Sequence, residues 1–218
     1  MKDQITYVGD GAENQRIGQG MFEGCVDLTC VNLPAQCKGI PAAFCKECSA
    51  LTSISIPGTV QWIDDEAFAI LTSASAGAAG LKLITLPRSC TAIGASAFYN
   101  TQLTSLAHGG ELKEIGDEAF MNCSKLEPFS EISTSSIGDK AFYNCPKISR
   151  LSVDMVAGQD SIIIGNEAFK GTALTSFGVN AKSLDTSIRK IAFGDGAFEG
   201  LSQLTSLALI PNSTTQFL

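Results

Sequence analysis

The chain has 218 residues, of which 44% are hydrophobic and 17% charged, so it can form a continuous core and carries too little charge for disorder. The formal net charge of −7 and the absence of any basic run argue against nucleic acid or an anionic membrane surface as a partner. No apolar stretch approaches the roughly 20 residues that a transmembrane helix needs.

Residues 1–16 are mostly polar, with one short apolar stretch at residues 5–8. We expect this stretch to form a degenerate strand that caps the first repeat. The segment lacks the apolar centre of a signal peptide. A surface or secreted location therefore requires a signal that has already been removed, and periplasmic or intracellular locations stay open.

A Phe, preceded by Ala in every case after the first, recurs at intervals of 22 to 30 residues. Most units also carry an apolar residue five places before the Phe and a Gly four places before it, as in Ile115-Gly116. The recurring Phe residues are Phe22, Phe44, Phe68, Phe98, Phe120, Phe142, Phe169 and Phe198. This self-similarity predicts about eight repeats over residues 17–211, followed by a tail at 212–218.

The second half of each unit reads apolar-x-x-apolar-x-apolar, as in residues 51–56. Its final alternation has the period of two that is typical of a strand, and Pro57 ends that strand by removing a backbone donor. The pattern weakens at His108, Pro128 and Glu131, which predicts a distorted sheet around residues 107–131.

The other half of the unit reads differently. Asp117, in the segment 115–120, is suited to cap a helix, which predicts one short helical or 3₁₀ turn per repeat. A single unit buries too few apolar side chains to offset the entropy of ordering about two dozen residues. The units must therefore stack into one array, in which each repeat covers its neighbours.

Together, these patterns resemble the BspA-like, or treponemal-type, leucine-rich repeat. Residues 51–68 match Leu-x-x-Ile-x-Ile-Pro-x-x-Val-x-x-Ile-x-x-x-Ala-Phe, and residues 115–126 add Gly116 and Cys123. The resemblance covers essentially residues 17–211 and implies a single domain over 1–218. It implies an α/β solenoid, a right-handed superhelix with a parallel sheet on its concave face and short helical or 3₁₀ turns on the other side.

Eight cysteines occur, and most stand at repeat positions that other units fill with Val, Thr or Leu. We expect free thiols throughout, with Cys30 and Cys45 exposed. The Cys45-x-x-Cys48 pair has no second pair at zinc-site spacing, so a structural role is favoured over zinc or redox chemistry. The cysteines predicted to lie in the core are Cys25, Cys37, Cys48, Cys90, Cys123 and Cys145.

No pattern of residues predicts catalysis or a cofactor. The single histidine, His108, stands in no nucleophile arrangement, and residues 64–66 lack the ligand spacing of a calcium loop. The chain is therefore expected to be non-enzymatic, without metal or cofactor.

The outward positions of the predicted strands carry short hydroxyl side chains and little charge. Ser and Thr suit the exposed side of any sheet, so a structural explanation and a binding role stay open side by side. The candidate partner-binding residues on this face are Thr52, Ser53, Ser55, Lys82, Leu83, Thr85, Thr104, Ser105, Arg150, Ser152, Thr175 and Ser176.

The resemblance implies a non-enzymatic protein-interaction module, because family members act as surface or secreted adhesins that bind host proteins or other cells. An intracellular or periplasmic scaffold, or a solenoid that binds a small ligand, is the alternative. The last predicted strand, residues 204–209, lacks a subsequent Ala-Phe turn, which predicts self-association through the carboxyl-terminal edge.

Overall fold

The computed structural model describes residues 4–6, 17–72, 80–128, 131–156, 159, 161–180, 190–209 and 216–217. Short strands recur throughout these residues, two in most coils of the chain. In chain order they are β1 Gln4–Thr6, β2 Cys30–Asn32, β3 Gly39–Ile40, β4 Ser53–Ser55, β5 Trp62–Ile63, β6 Leu83–Leu86, β7 Ala92–Ile93, β8 Ser105–His108, β9 Glu114–Ile115, β10 Ile132–Ser133, β11 Ser136–Ile137, β12 Arg150–Asp154, β13 Ser161–Ile164, β14 Ser176–Asn180, β15 Lys190–Phe193, β16 Ser206–Leu209 and β17 Gln216–Phe217.

The strands form two sheet systems, and every pairing of neighbouring strands is parallel. One is an eight-stranded sheet in the order β17-β15-β13-β11-β9-β7-β5-β3, which we call the continuous sheet. The other, the divided sheet, falls into the groups β1-β2-β4, β6-β8 and β10-β12-β14-β16. The apolar-x-x-apolar-x-apolar pattern correctly predicted the divided sheet, whereas the strands of the continuous sheet were missed.

The core runs along the stack as a ladder of aromatic rings. Phe98, Phe120, Phe142 and Phe169 are all 0% exposed. Consecutive rings in this series lie 5.3 to 5.6 Å apart at interplanar angles of 4 to 6°. That spacing is close to the separation of neighbouring strands, about 4.8 Å, so each coil contributes one ring to the stack. The prediction of a stacked array is confirmed.

The predicted helical turns are wrong, because the described residues contain no helix. Every Ala-Phe segment except that of Phe68 has left-handed residues four positions apart, as at Glu118 (φ 56°) and Asn122 (φ 64°). The carbonyls of Gly116 and Phe120 accept from amides three residues later, which places Glu118 and Asn122 where type II turns require positive φ. A helix cannot continue through left-handed residues. The fold is therefore a parallel β-solenoid rather than an α/β one.

The amides of this segment alternate between their own coil and the next. The amides of Glu118 and Phe120 donate to the carbonyls of Asp139 and Ala141 in the next coil, both at 2.8 Å. Asp117 does not cap a helix either, because its Oδ1 accepts from the Asp139 amide at 2.8 Å. The turns of neighbouring coils are thus joined by hydrogen bonds as strands are.

The Gly of the Ile-Gly pair is required by this close packing of turns. A Cβ at Gly138 would lie 2.5 Å from the backbone nitrogen of Asp117 and 2.7 Å from the carbonyl carbon of Gly116. Gly94, Gly116, Gly165 and Gly194 meet the preceding coil in the same way. At these five positions a larger residue would require the coils to move apart, whereas Pro41 and Asp64 fill the equivalent position in two earlier coils.

The sheet is interrupted around residues 107–131, as predicted. The described residues show no pairing between β8 and β10, and β10 begins only at Ile132, beyond Pro128. His108 crosses the break, with Nδ1 3.0 Å from the Gly110 carbonyl and Nε2 3.3 Å from that of Glu131. The sheet is interrupted again between β4 and β6. The chain between these strands includes residues 71–80, a stretch that lengthens the unit of Phe68 and lies mostly outside the described residues. Two later units are also lengthened, near 155–162 and 180–190. Only residues 157, 158 and 160 of the first stretch lie outside the described residues, whereas most of the second does.

The two ends each add a strand. The strand predicted at residues 5–8 is present as β1, which pairs with β2, although Tyr7 and Val8 lie outside the described residues. In the tail predicted at 212–218, β17 pairs with β15 and extends the continuous sheet. The described residues contain no helix long and apolar enough to span a membrane.

Candidate interaction surfaces

The cysteines are free, as predicted, and most are buried. Two expectations were wrong: Cys45 is 1% exposed rather than a surface residue, and Cys25 is exposed rather than in the core. Three buried thiols that follow a repeat Phe, those of Cys48, Cys123 and Cys145, donate to the Phe carbonyl of the preceding coil, as Cys48 does to Phe22 at 2.9 Å. Phe22 is the first Phe of the series, so Cys25 has no equivalent acceptor.

The buried thiols are poor candidates for chemistry. Burial raises the pKa of Cys90 and that of Cys123 to about 11. A hydrogen bond with Cys48, together with burial, raises the pKa of Cys45. The reactive thiolate is therefore scarce at these positions at neutral pH. Cys48 is the exception among the buried cysteines, because its hydrogen bond with Cys45 lowers its pKa. The described residues hold no group of three or more His, Cys, Asp or Glu side chains placed to bind a metal.

The threonines of the predicted strand face have structural partners. Thr52, Thr104 and Thr175 each donate a hydroxyl hydrogen bond to a carbonyl of the preceding coil, at 3.0 to 3.1 Å. The acceptors are the carbonyls of Thr29, Lys82 and Ser149. These hydroxyls therefore hold neighbouring coils together, which favours the structural explanation for the three threonines.

The remaining predicted residues lie on three separate patches, because the divided sheet is interrupted. Leu83 and Thr85 of β6 stand opposite Ser105 and Ala107 of β8, and Leu83 is 67% exposed. The other two patches pair Ser53 and Ser55 with Cys30 and Asn32, and Arg150 and Ser152 with Ser176 and Gly178. Lys82 is exposed just before β6 begins. The sequence thus identified residues that are exposed or partly exposed, but it predicted one continuous face, whereas the structure divides them among three patches.

The continuous sheet presents a second surface, which the sequence reasoning missed. In the strands β3 to β15 of this sheet, the residue before the last one points away from the core, and these residues lie in register across the coils. In order they are Gly39, Trp62, Ala92, Glu114, Ser136, Ile163 and Ala192. Trp62 and Ile163 are 42% and 45% exposed. The only signal in the sequence was the residue preceding each Ile of the Ile-Gly pairs.

Two adjoining cavities lie along this surface. The first, of about 370 Å³, is bordered by Trp62 and Glu114, with Ala92 and Gly94 of the coil after Trp62 between them. The second, of about 570 Å³, is lined mainly by carboxylates of later coils and shares Asp117 with the first. We call the two together the acidic groove.

Aspartates along the groove form a ladder that is partly structural. The Oδ1 atom of Asp65 accepts from the Ala95 amide at 2.7 Å, as Asp117 accepts from the next coil. Asn166 occupies the same position and accepts from the Asp195 amide at 2.7 Å. An uncharged Asn therefore makes the same bond, so the fold does not require the negative charge at these positions.

Basic side chains are confined to one part of the groove. Lys170 donates to Glu167 at 2.7 Å and to Glu199 at 2.9 Å, and Lys140 lies 3.6 Å from Glu167. The hydrogen bond from Lys170 lowers the pKa of Glu167. The first cavity, around Trp62, has no Lys or Arg among its lining residues.

Comparison with known families gives a match to the BspA type leucine-rich repeat region, in six copies, over residues 5–74 and 70–175. The predicted count of eight repeats is therefore corrected to about six. The units after residue 175 depart from the pattern, since Phe193 replaces the usual Ile and the segment 180–190 is inserted. Ring stacking nevertheless continues there, with Phe198 5.5 Å from Phe169.

Among solved structures, a leucine-rich repeat protein from Bacteroides ovatus ATCC 8483 matches with a TM-score of 0.56 and 20% identity. The alignment covers 99% of this chain and 70% of that one, and it supports the fold. A leucine rich cell surface protein from Faecalibacterium prausnitzii A2-165 matches with a TM-score of 0.39 and 18% identity, over 89% of this chain and 63% of that one. No curated protein matches the chain.

Proposed function

Because the chain belongs to the BspA type leucine-rich repeat family, we propose that it is a non-enzymatic protein-interaction module of the surface-adhesin type. The observation that carries the proposal is a rigid stack of coils that presents exposed sheet surfaces. Family and fold are typically non-enzymatic, and the buried thiols and the histidine have structural partners. A host extracellular protein is the partner that the family resemblance favours.

The divided sheet is the first candidate for the docking face. Its central patch combines Leu83, 67% exposed, with the hydroxyls of Thr85 and Ser105. An exposed apolar side chain among small polar neighbours offers contact area that a partner can bury.

The test replaces Ser53, Ser105 and Ser176 with Arg and measures binding to a panel of purified extracellular matrix proteins by biolayer interferometry. We expect the triple variant to lose the binding that the unmodified chain shows, because bulk and charge then cover the face. Ser202→Arg, at an exposed turn outside both sheets, is the matched control. A chain that binds no protein of the panel contradicts the adhesin proposal, and unchanged binding by the triple variant excludes this face.

A second candidate is an intracellular or periplasmic scaffold. The free cysteines favour its intracellular form, because disulfides form and persist in oxidising compartments, the periplasm included, and all eight thiols are free here. Protease treatment of intact cells, with antibody detection of this chain afterwards, separates the candidates. Loss of the signal from intact cells supports surface display. A signal that is lost only after lysis supports the scaffold.

Self-association through β16 is part of the proposal. Leu207 is 52% exposed, whereas Phe177, its partner in register on β14, is 1% exposed. An exposed apolar strand edge is a template for pairing with a second copy. Light scattering over a concentration series should show a mass that rises toward a dimer, and Leu207→Lys should abolish the rise.

A further inference from the structure

Trp62 is held in place by the coil before it. A Cβ at Gly39 would lie 2.2 Å from Trp62 Cε2 and 2.4 Å from Nε1, so the indole rests directly on this glycine. Support on one side fixes the ring without burying it, and 42% of the residue stays exposed. A large aromatic side chain that is both immobilised and exposed provides a binding contact at a low cost in conformational entropy.

The residues around the ring leave room for a ligand. The next coil carries Ala92 and Gly94, whose small size leaves the cavity of about 370 Å³ open beside the indole. The cavity extends across β5, β7, β9 and β11, which at about 4.8 Å per strand is about 14 Å. The second cavity continues it toward β15. The acidic groove therefore suits an extended chain rather than a compact small molecule.

The charge of the groove selects the ligand class. Nine carboxylates line the two cavities, and Lys140 is the one basic side chain among the lining residues. The whole chain has 22 Asp and Glu, so a large share of its negative charge borders one surface. Clustered charge of one sign raises the local concentration of opposite charge and speeds association. An exposed indole beside such a cluster adds a face on which a guanidinium or an ammonium group can stack.

We propose that the acidic groove binds an extended, arginine- or lysine-rich segment of a protein partner, with one basic side chain stacked on Trp62 and others paired with Glu114 and Asp117. The proposal deepens the proposed function and rests on it, since it names the chemical class of a partner segment. It differs in placing that contact on the continuous sheet instead of the divided one.

The experiment titrates the intact chain with an octa-arginine peptide. Trp62 is the single Trp of the chain, so its fluorescence reports directly on the groove. We expect a saturable change that weakens as salt rises from about 0.01 M to about 1 M, where the Debye length falls from about 30 Å to about 3 Å. An octa-glutamate peptide should produce no change. A salt-independent response, or an equal response to neutral cellohexaose, overturns the proposal.

Variants locate the site, with affinity measured by the anisotropy of a labelled octa-arginine. Trp62→Leu should weaken binding by about 2- to 30-fold, the range of a cation–π contact. The double variant Glu114→Gln and Asp117→Asn should weaken binding by up to about fivefold per charge removed. The Asn side chain can still accept the hydrogen bond from the next coil, as Asn166 does in its own coil. Asp27→Asn with Glu127→Gln removes the same charge at exposed positions outside the groove and should leave affinity unchanged.

Equal affinity of all variants overturns the proposal. Circular dichroism melting confirms folding, and the Gln and Asn variants keep the test valid if Trp62→Leu is unstable. One outcome is that the serine-to-arginine triple variant loses matrix-protein binding while the groove variants keep it. That result contradicts binding at the groove and leaves the proposed function standing. Octa-arginine binding that maps to the groove in a chain that binds no matrix protein leaves the groove standing and contradicts the adhesin role.

Discussion

The continuous sheet and the divided sheet run along the same coils, yet only the first extends without interruption from β3 to β17. Several strands of the continuous sheet are just two residues long, whereas β12 and β14 of the divided sheet have five. Strand length therefore does not explain continuity. The difference lies in the segment into which each strand leads.

The strands β3 to β15 of the continuous sheet each lead directly into the packed turns. There the glycines allow neighbouring backbones to approach closely, amides such as that of Phe120 bond to the next coil, and the Phe rings stack. These contacts fix the separation of the coils at one place. The divided sheet has its two interruptions where the chain between successive strands contains residues 71–80 or Pro128. The half of the repeat that contains the continuous sheet and the packed turns thus keeps neighbouring coils in register. The half that contains the divided sheet accommodates the differences in length between units.

The largest expected effect comes from removing a ring of the central stack. Phe120→Ala should lower the free energy of unfolding by about 3–5 kcal/mol, because a fully buried ring between Phe98 and Phe142 leaves a cavity. Phe22→Ala should cost less, since Phe22 is 8% exposed and contacts one ring of the stack, Phe44. Urea denaturation monitored by circular dichroism measures both. Equal losses would contradict a core whose strength depends on neighbours on both sides.

Alkaline pH should lower the free energy of unfolding through Cys123, a buried cysteine in the packed turns. The pKa of Cys123 is about 11 in the fold against an ordinary value of 9.0, because burial disfavours the thiolate. The folded chain therefore retains the proton that the unfolded chain loses, and stability is fully present below pH 9 and falls as the pH rises toward 11. At about 1.4 kcal/mol per pKa unit, the loss is about 3 kcal/mol for this thiol.

Urea midpoints measured from pH 8 to 11 test this expectation. Cys123→Val should flatten the decline, and Cys25→Val, at an exposed thiol, should leave it unchanged. A decline of the same slope in the Cys123 variant would show that other groups cause it.

Gly138→Ala tests the close approach of the turns. The added Cβ meets backbone atoms of the preceding coil at 2.5 to 2.7 Å, which should cost about 1–3 kcal/mol as the coils shift. Gly58→Ala is the control, because a Cβ there meets nothing within 4 Å and should change stability by less than about 0.5 kcal/mol. Chemical denaturation compares them. A harmless Gly138→Ala would show that the turns do not set the separation of the coils.

The smallest expected effect isolates one rung of the aspartate ladder. Asp117→Ala removes the acceptor of the Asp139 amide and should cost about 1 kcal/mol, the net value of one hydrogen bond. Asp117→Asn should be close to neutral, since Asn166 fills the same role in its own coil. Thermal unfolding separates the pair, and equal destabilisation by both would mean that charge rather than hydrogen bonding matters at this position.

The stacking of the coils was readable from the sequence because it depends on which side chains are buried. The spacing of the Phe residues identified the ring ladder, the period of two identified the divided sheet, and His108 and Pro128 located its interruption. The recurrence of Cys at positions filled elsewhere by Val or Thr correctly predicted free thiols, and it placed most of them in the core. Each of these inferences rests on a periodic pattern of apolar residues, which a single sequence displays directly.

Tertiary structure decided the features that depend on contacts between coils. Asp117 reads as a helix cap because capping and ladder positions favour the same residue type, and only the amide of Asp139, in the next coil, distinguishes them. Two residues such as Trp62 and Ile63 are too few to show alternation, so the continuous sheet and its acidic groove emerge only when the strands are brought into register. The burial of Cys45 and the exposure of Cys25 likewise result from neighbours in space rather than in sequence. A repeat pattern fixes which side chains face the core, whereas hydrogen bonds between coils join residues more than 20 positions apart and depend on how the turns pack.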